Sequence, residues 1–245
     1  RNKKSVTLDL NKDRGREVLY RPVSKCDVFL TNFRKPLIKK LKVGYDTLRE
    51  YNPRLIYAHG SGYGSKGPDA DARVFDVTAQ ARSGVMWSVG DLDYDEPFET
   101  EGATFDQLGA TLTAYGIMVA LIARERFGIA QELDVSILGS IIHQHAINVT
   151  CALFRKRPLP RHSRRRVINP LTNHYRCSDG KWLVLCEAQS DRFWGQFCHV
   201  LGLEALENDP RFENAGKRRE TSQELIAILD KVFATKPSDE WLKVL

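Results

Sequence analysis

Residues 108–126 constrain the fold more than any other stretch of the chain. They favour helix, and Leu108, Leu112, Tyr115, Met118, Val119 and Ile122 recur at three-to-four spacing, which predicts an apolar stripe facing a core. Gly109, Ala110, Ala114, Gly116, Ala120 and Ala123 keep the same helix slim, so other backbone is expected to pack close against it. Arg124 and Arg126 suit the negative end of the helix dipole, and Gly128 supplies a C-terminal stop. Asp106 stands at the entrance, in Ala103-Thr104-Phe105-Asp106-Gln107-Leu108-Gly109. A carboxylate there either caps the first turn, for about 1 kcal/mol, or is held ready as a nucleophile or base.

Around this helix, strand-like and helix-like runs alternate. Strands are expected at residues 5–10, 27–30, 55–59 and 132–135, and helices at 15–23, 36–41, 75–84 and from 137 into 153. An irregular acidic stretch runs through Glu101. Alternation of this kind predicts a largely parallel sheet covered by helices, an α/β fold. Residues 155–170, rich in Arg and Pro and without a period, read as a linker. Beyond them a hairpin over 175–186 turns at Ser178-Asp179-Gly180, and helices follow at 191–201 and 221–233, the second opened by a capping box from Thr221 to Glu224. The expected organisation is a large α/β domain over 1–154, the linker, and a smaller α+β domain over 171–245. The chain opens almost in a strand and closes in a helix, so further residues are expected at both ends.

Composition narrows the function. The net charge of +6 is concentrated in Arg1-Asn2-Lys3-Lys4, in residues 34–42 and in residues 155–166, which suits a polyanionic partner or a phosphate-rich ligand. Nucleic acid is not favoured, because no aromatic residues interleave Arg161-His162-Ser163-Arg164-Arg165-Arg166. The apolar run within 110–123, broken by Thr and Tyr, reads as too short for a bilayer, so no membrane partner is expected. Five scattered cysteines without a CxxC pair point to free thiols in a reducing, cytoplasmic setting. His143 and His145 lie on different sides of a helix, so no metal site is expected. Gly62-Tyr63-Gly64-Ser65-Lys66-Gly67 matches GxGxxG after a strand. The Pro68-Asp69-Ala70-Asp71 that follows is a turn, not the helix N-terminus that a pyrophosphate needs. No serine sits in a GxSxG elbow.

Several segments, taken in order, resemble one family. Asn2-Lys3-Lys4-Ser5-Val6-Thr7-Leu8-Asp9-Leu10 is similar to its NRxKKSVTLDL opening. Asp27-Val28-Phe29-Leu30-Thr31-Asn32-Phe33-Arg34 resembles its DVxxENFRPG segment, with Lys35-Pro36 in place of Pro-Gly. Asn52-Pro53-Arg54-Leu55-Ile56-Tyr57, the glycines to Gly67-Pro68, Phe75-Asp76 to Ser83-Gly84, Asp106, the stretch from Ala123 to Gly128, and Asp134-Val135-Ser136 follow its order and spacing. This is the class III CoA-transferase family, also called CaiB/BaiF, which includes 2-methylacyl-CoA racemases. The resemblance implies a Rossmann-like large domain, a small domain, and two subunits threaded through each other as interlocked rings, with a heteromer as a variant.

The resemblance also assigns chemistry. Asp106 is implied as the nucleophile that carries an acyl group and then CoA, with the helix N-terminus keeping it ionised and stabilising oxyanions. Leu8, Asn32, Phe33, Lys40 and Leu41 are implied to line the CoA cleft, Arg1 and Arg34 to meet its phosphates, and Tyr63 to flank the thioester. Without the family pattern, Asn32 reads as a strand-end turn residue and Phe33 as a core aromatic. CoA and acyl-CoA are substrates, with no permanently bound cofactor, and a small carboxylic acid is the second partner. Gly64 departs from the acidic residue of some formyl-CoA transferases. Phe75 stands where the racemases carry a histidine base, so transfer is expected rather than epimerisation. Glu187 sits near the racemases' small-domain glutamate in a poorly matching context. A non-catalytic CoA-binding subunit is a further alternative, against which the retained Asp106 argues. Phe75, Met86, Trp87 and Phe105 are candidates for an acyl pocket or for core.

Overall fold

Three short runs, Val28–Thr31 (β1), Ile56–Ser61 (β2) and Glu132–Ser136 (β3), form a parallel sheet in the order β1-β2-β3 in a computed structural model that describes residues 2–158 and 160–245. Val28 lies opposite Ile56 and Tyr57 opposite Glu132, which brings the carboxyl ends of the strands to one edge. Residues 56–59 of β2 are buried, as a central parallel strand covered on both faces must be. The helices of the same part are α1 (Asp13–Val23), α2 (Lys35–Leu41), α3 (Tyr45–Tyr51), α4 (Asp76–Ser83), a single turn α5 (Val85–Ser88), α6 (Thr104–Phe127), α7 (Ile137–Gln144) and α8 (Ala146–Arg155). Val23, Leu48, Leu55 and Tyr57 form one core between α1, α3 and the sheet. Ala79, Val85, Phe105 and Ile141 form another among α4 to α7.

The long helix packs opposite to the expected way. Phe105, Gly109, Thr113, Ala120 and Arg124 are its buried residues, whereas Tyr115, Met118, Val119 and Ile122 are 46–68% exposed. Close approach to β2 and β3 requires small side chains, so the slim face meets the sheet and the bulky stripe turns outward. A Cβ at Gly116 would already touch Leu133 and Val135. Arg124 and Arg126 stand in the last turn of α6 as expected, and Arg124 has a second task. It is buried and donates to Asp27 Oδ1 at 2.8 Å and to the Arg54 carbonyl at 3.1 Å. Gly128 ends the helix in the left-handed region, at φ 71°. With 24 residues and a mean hydropathy of 1.3 over its most apolar stretch, α6 is long and apolar enough to cross a membrane by length and composition, contrary to the shorter run read in the sequence.

Other expectations also change. Residues 5–10 form no strand, because among the described residues no neighbour offers them a ladder of backbone partners. The helix expected from 137 into 153 breaks at His145 into α7 and α8, bent by 75°. Neither Pro nor Gly marks that break, so spacing alone does not reveal it.

The second unit comprises Val89–Glu96 and Pro160–Leu245. It contains the antiparallel pair β4 (His174–Arg176) and β5 (Trp182–Val184), then α9 (Ser190–Leu201), α10 (Ala215–Glu220), α11 (Ser222–Phe233) and α12 (Ser238–Val244). Its core is aromatic, with Tyr175, Trp194, Phe212, Phe233 and Trp241 around Leu171, Leu225 and Leu229. The arginine run is largely taken up in this packing. Arg161 holds the Tyr94 and Glu96 carbonyls, and Arg164 pairs with Asp230 beneath the Tyr175 and Trp182 rings. Thr221 does not build a capping box. Its hydroxyl donates backwards to the Lys217 carbonyl at 2.8 Å and the Arg211 carbonyl at 3.0 Å, since α10 ends on this residue.

Candidate active site

The carboxyl ends of β1, β2 and β3 open into a cleft of about 1020 Å³, at the sheet edge where open α/β folds bind ligands. Its walls include Asn32, Phe33 and Arg34 after β1, His59 to Gly62 of β2 and its following loop, Arg73 to Phe75 before α4, and Asp106, Gly109 and Thr113 on α6. Four residues singled out in the sequence, Asn32, Phe33, Arg34 and Asp106, thus meet in one cavity. Leu8, Lys40, Leu41 and Tyr63 do not line it. Leu41 is 6% exposed and serves as core, Lys40 is exposed on α2, and Tyr63 is half-buried in the glycine loop. Arg1 lies outside the described residues. Of the candidate acyl-pocket aromatics, Phe75 lines the cleft while Phe105 is core.

Local hydrogen bonding explains the shape of the cleft. His59 is buried and its Nε2–H donates to the Phe33 carbonyl at 2.9 Å, which fixes the segment carrying Asn32 and Arg34. Asp134, in the middle of β3, accepts from the Ser65 backbone N–H at 2.9 Å and from the Ser61 hydroxyl at 3.3 Å, so it moulds the glycine loop. Lys35 reaches the Ser65 carbonyl from the other side. Gly62 is obligatory: a Cβ there would lie 2.0 Å from Val74 Cγ1 and 2.5 Å from its Cβ. After Gly67 the chain turns and does not enter a helix until Asp76, as the sequence indicates.

Asp106 occupies the third position of α6, yet it is not the cap. Ala103, the residue before the helix, is left-handed at φ 51° and offers no capping side chain. Asp76, the first residue of α4, does this work from across the fold. Its Oδ2 accepts the Phe105 and Asp106 N–H groups, each at 2.8 Å. These two groups are therefore occupied and are not available to stabilise an oxyanion, contrary to what the family resemblance implies for this helix N-terminus. Among the described residues nothing hydrogen-bonds the Asp106 carboxylate, which is exposed to the cleft. Loss of surrounding water, and then the negative charge of Asp76, raise its pKa above the ordinary aspartate value. Sequence reasoning missed Asp76, Gln80, His59 and Asp134 as site residues. An acidic residue at a helix start ordinarily signals a contribution to its own helix, and no local pattern tells that this one serves another.

No group of three or more His, Cys, Asp or Glu among the described residues is placed to hold a metal ion. The fold and cleft define an α/β protein with an open cleft at the carboxyl ends of its strands, lined by Arg34, Lys35 and Arg73 and by the Asp106 carboxylate. The chain belongs to CoA-transferase family III, whose model matches residues 1–245. It is 31% identical to the (R)-2-hydroxy-4-methylpentanoate CoA-transferase of Clostridioides difficile over 246 residues, which is 100% of this chain and 61% of that protein. It is 29% identical to the alpha-methylacyl-CoA racemase of Mus musculus over 251 residues, 100% of this chain and 63% of that one. The crystal structure of a CaiB/BaiF family protein from Brucella suis superposes with a TM-score of 0.84 at 26% identity, covering 98% of this chain and 63% of that one. The chain thus spans less than two thirds of the length of these relatives.

Proposed function

We propose that the protein transfers coenzyme A from an acyl-CoA to a carboxylic acid through Asp106. The observation that carries this reading is a carboxylate relieved of capping, without a hydrogen-bond partner among the described residues, in a cleft that also holds Asn32, Phe33 and Arg34. An oxygen of Asp106 attacks the thioester carbon, the carbon–sulfur bond breaks, and CoA leaves as the thiolate with a mixed anhydride on Asp106. The thiolate then attacks the Asp106 carbonyl and the donor acid leaves as its carboxylate. The resulting aspartyl-CoA thioester is attacked by the acceptor carboxylate, and the same two steps in reverse deliver the new acyl-CoA and restore Asp106. Anhydride and thioester are both activated acyl groups, so neither step discards the transfer potential. Arg34 and Lys35 supply positive charge at the cleft for CoA phosphates, and Phe33 an aromatic wall. CoA enters as substrate, and no permanently bound group is called for.

Racemisation is the competing reading, because a racemase is among the relatives. It needs a second base opposite the aspartate. The residue beside Asp76 is Phe75, 74% exposed and lining the cleft, and a phenyl ring accepts no proton. Transfer is therefore favoured. Full-length protein incubated with acyl-CoA and hydroxylamine is expected to carry a hydroxamate on the Asp106 peptide by mass spectrometry. An active preparation in which Asp106 stays unmodified excludes the covalent route.

The same reading includes an interlocked homodimer. The outward stripe of Tyr115, Met118, Val119 and Ile122 on α6 supports it, since a contiguous apolar face of this kind favours further polypeptide against it. Sedimentation equilibrium of the full-length protein is expected to give twice the chain mass, and a monomer at micromolar concentration would refute it. Five free cysteines support a reducing, cytoplasmic setting.

A further inference from the structure

We infer that Asp76 is the positioning residue of Asp106: by capping α6 from α4 it leaves the Asp106 carboxylate uncommitted in the cleft, with a second negative charge held beside it. The inference rests on Asp106 being the acyl acceptor and adds the device that prepares it.

The geometry is built from α4 outward. Asp76 Oδ2 takes the N–H groups of Phe105 and Asp106 at 2.8 Å each, while Oδ1 accepts from the Gln80 side-chain amide one turn along. Gln80 is 1% exposed and cannot turn away. Its Oε1 accepts from the Thr100 N–H at 3.0 Å and hydroxyl at 3.1 Å, and its Nε2 also donates to the Thr100 carbonyl at 3.0 Å. A buried amide with its bonding capacity engaged thus orients Asp76, and Asp76 orients the start of α6. An acidic residue at the third position of a helix often folds back onto the N-cap N–H. Asp106 forms no such bond among the described residues, and its lone pairs face the cleft.

The charges around Asp106 give the arrangement its consequence. The cleft itself holds Arg34, Lys35, His59 and Arg73. Of the elements packed on α6, α4 brings Asp76 and an Arg82 already paired with Asp69, β2 brings His59, β3 brings Glu132 and Asp134, and α7 brings His143. Asp76 is the acid that touches the same turn of helix, and it adds to loss of water in making Asp106 more basic. A more basic carboxylate is a better nucleophile toward the thioester carbon, and one without hydrogen bonds has none to break on attack.

Asp76→Asn in the full-length protein keeps an oxygen to accept the two N–H groups and loses the charge, together with the acceptor for the Gln80 amide. Asp76→Glu, which keeps the charge, is the control. With Asp106 observed by carbon-13 carboxyl NMR, its titration midpoint in Asp76→Asn is expected to fall, and the acid limb of kcat/KM to follow it. Asp76→Glu is expected to retain the wild-type midpoint. A midpoint and acid limb that do not move in Asp76→Asn overturn the inference and leave Asp76 a cap alone. A midpoint that falls while no hydroxamate forms on Asp106 of the wild type supports the pairing and defeats the nucleophile reading instead.

Discussion

Replacing Asp106 by Asn or Ala is expected to lower kcat by about 10⁴-fold or more, with CoA affinity changed little. Neither side chain can form the anhydride, so the loss is not a matter of orientation and no neighbour can substitute. The acids nearest in the cleft architecture are already engaged: Asp76 with two backbone N–H groups and Gln80, and Asp134 with Ser61 and Ser65. Stability should move the other way. The pKa of Asp106 in the folded state lies above its unfolded value, so its ionisation opposes folding. That opposition is absent below the ordinary aspartate range and complete once pH exceeds the raised value. Asp106→Asn should therefore melt no lower than the wild type at neutral pH, and slightly higher. Steady-state kinetics with isothermal titration of CoA, and a melt at two pH values, check both halves. Retained turnover would remove Asp106 from the chemistry, whereas a large loss of CoA affinity would make it a binding residue.

How much of this was legible in the sequence depends on whether a feature is local. Spacing located β1, β2 and β3 to within about two residues and placed α6, the 174–184 hairpin and α11 correctly. The face of α6 was not legible. A stripe of Leu, Tyr, Met, Val and Ile and a stripe of Gly, Ala and Thr run along the same helix, and periodicity reports both. Only the distance at which the sheet packs decides between them, and close packing selects the small stripe. Residues 5–10 failed as a strand for a related reason: strand character in a sequence does not supply the neighbour.

The candidate site divides along the same line. Asn32, Phe33, Arg34 and Asp106 came from a pattern of residues in order, and the parallel sheet then gathers them, because the segments that follow β1 and β2 leave by the same edge. Lys40 and Leu41 came from the same pattern, but one turn of α2 carries them away from that edge, with Leu41 in the core and Lys40 in solvent. Asp76 is a contact across 30 positions, and His59 one across 26, between residues whose local surroundings promise nothing of the kind. The residues that hold the chemistry in place are thus harder to read than the residue that performs it.

Trp241→Ala is expected to be the most damaging single change in the second unit. Trp241 is 1% exposed, its ring meets Phe233 edge-on with centroids 5.1 Å apart, and Phe233 stacks on Tyr175 at 5.0 Å. Its indole N–H donates to the Phe233 carbonyl at 3.0 Å, so truncation opens a cavity and leaves a buried acceptor unpaired. Such losses together cost about 3–5 kcal/mol. Tyr175 on β4, Phe233 at the end of α11 and Trp241 on α12 share one contact chain, so the loss should appear throughout all three elements. Amide hydrogen exchange in the full-length protein is expected to accelerate by about 100-fold or more in β4, α11 and α12. Trp241→Phe, which keeps the ring contact and loses only the N–H, should recover most of the protection. Exchange that quickens in α12 alone would show that Trp241 merely seats its own helix, and that Tyr175 and Phe233 hold the core without it.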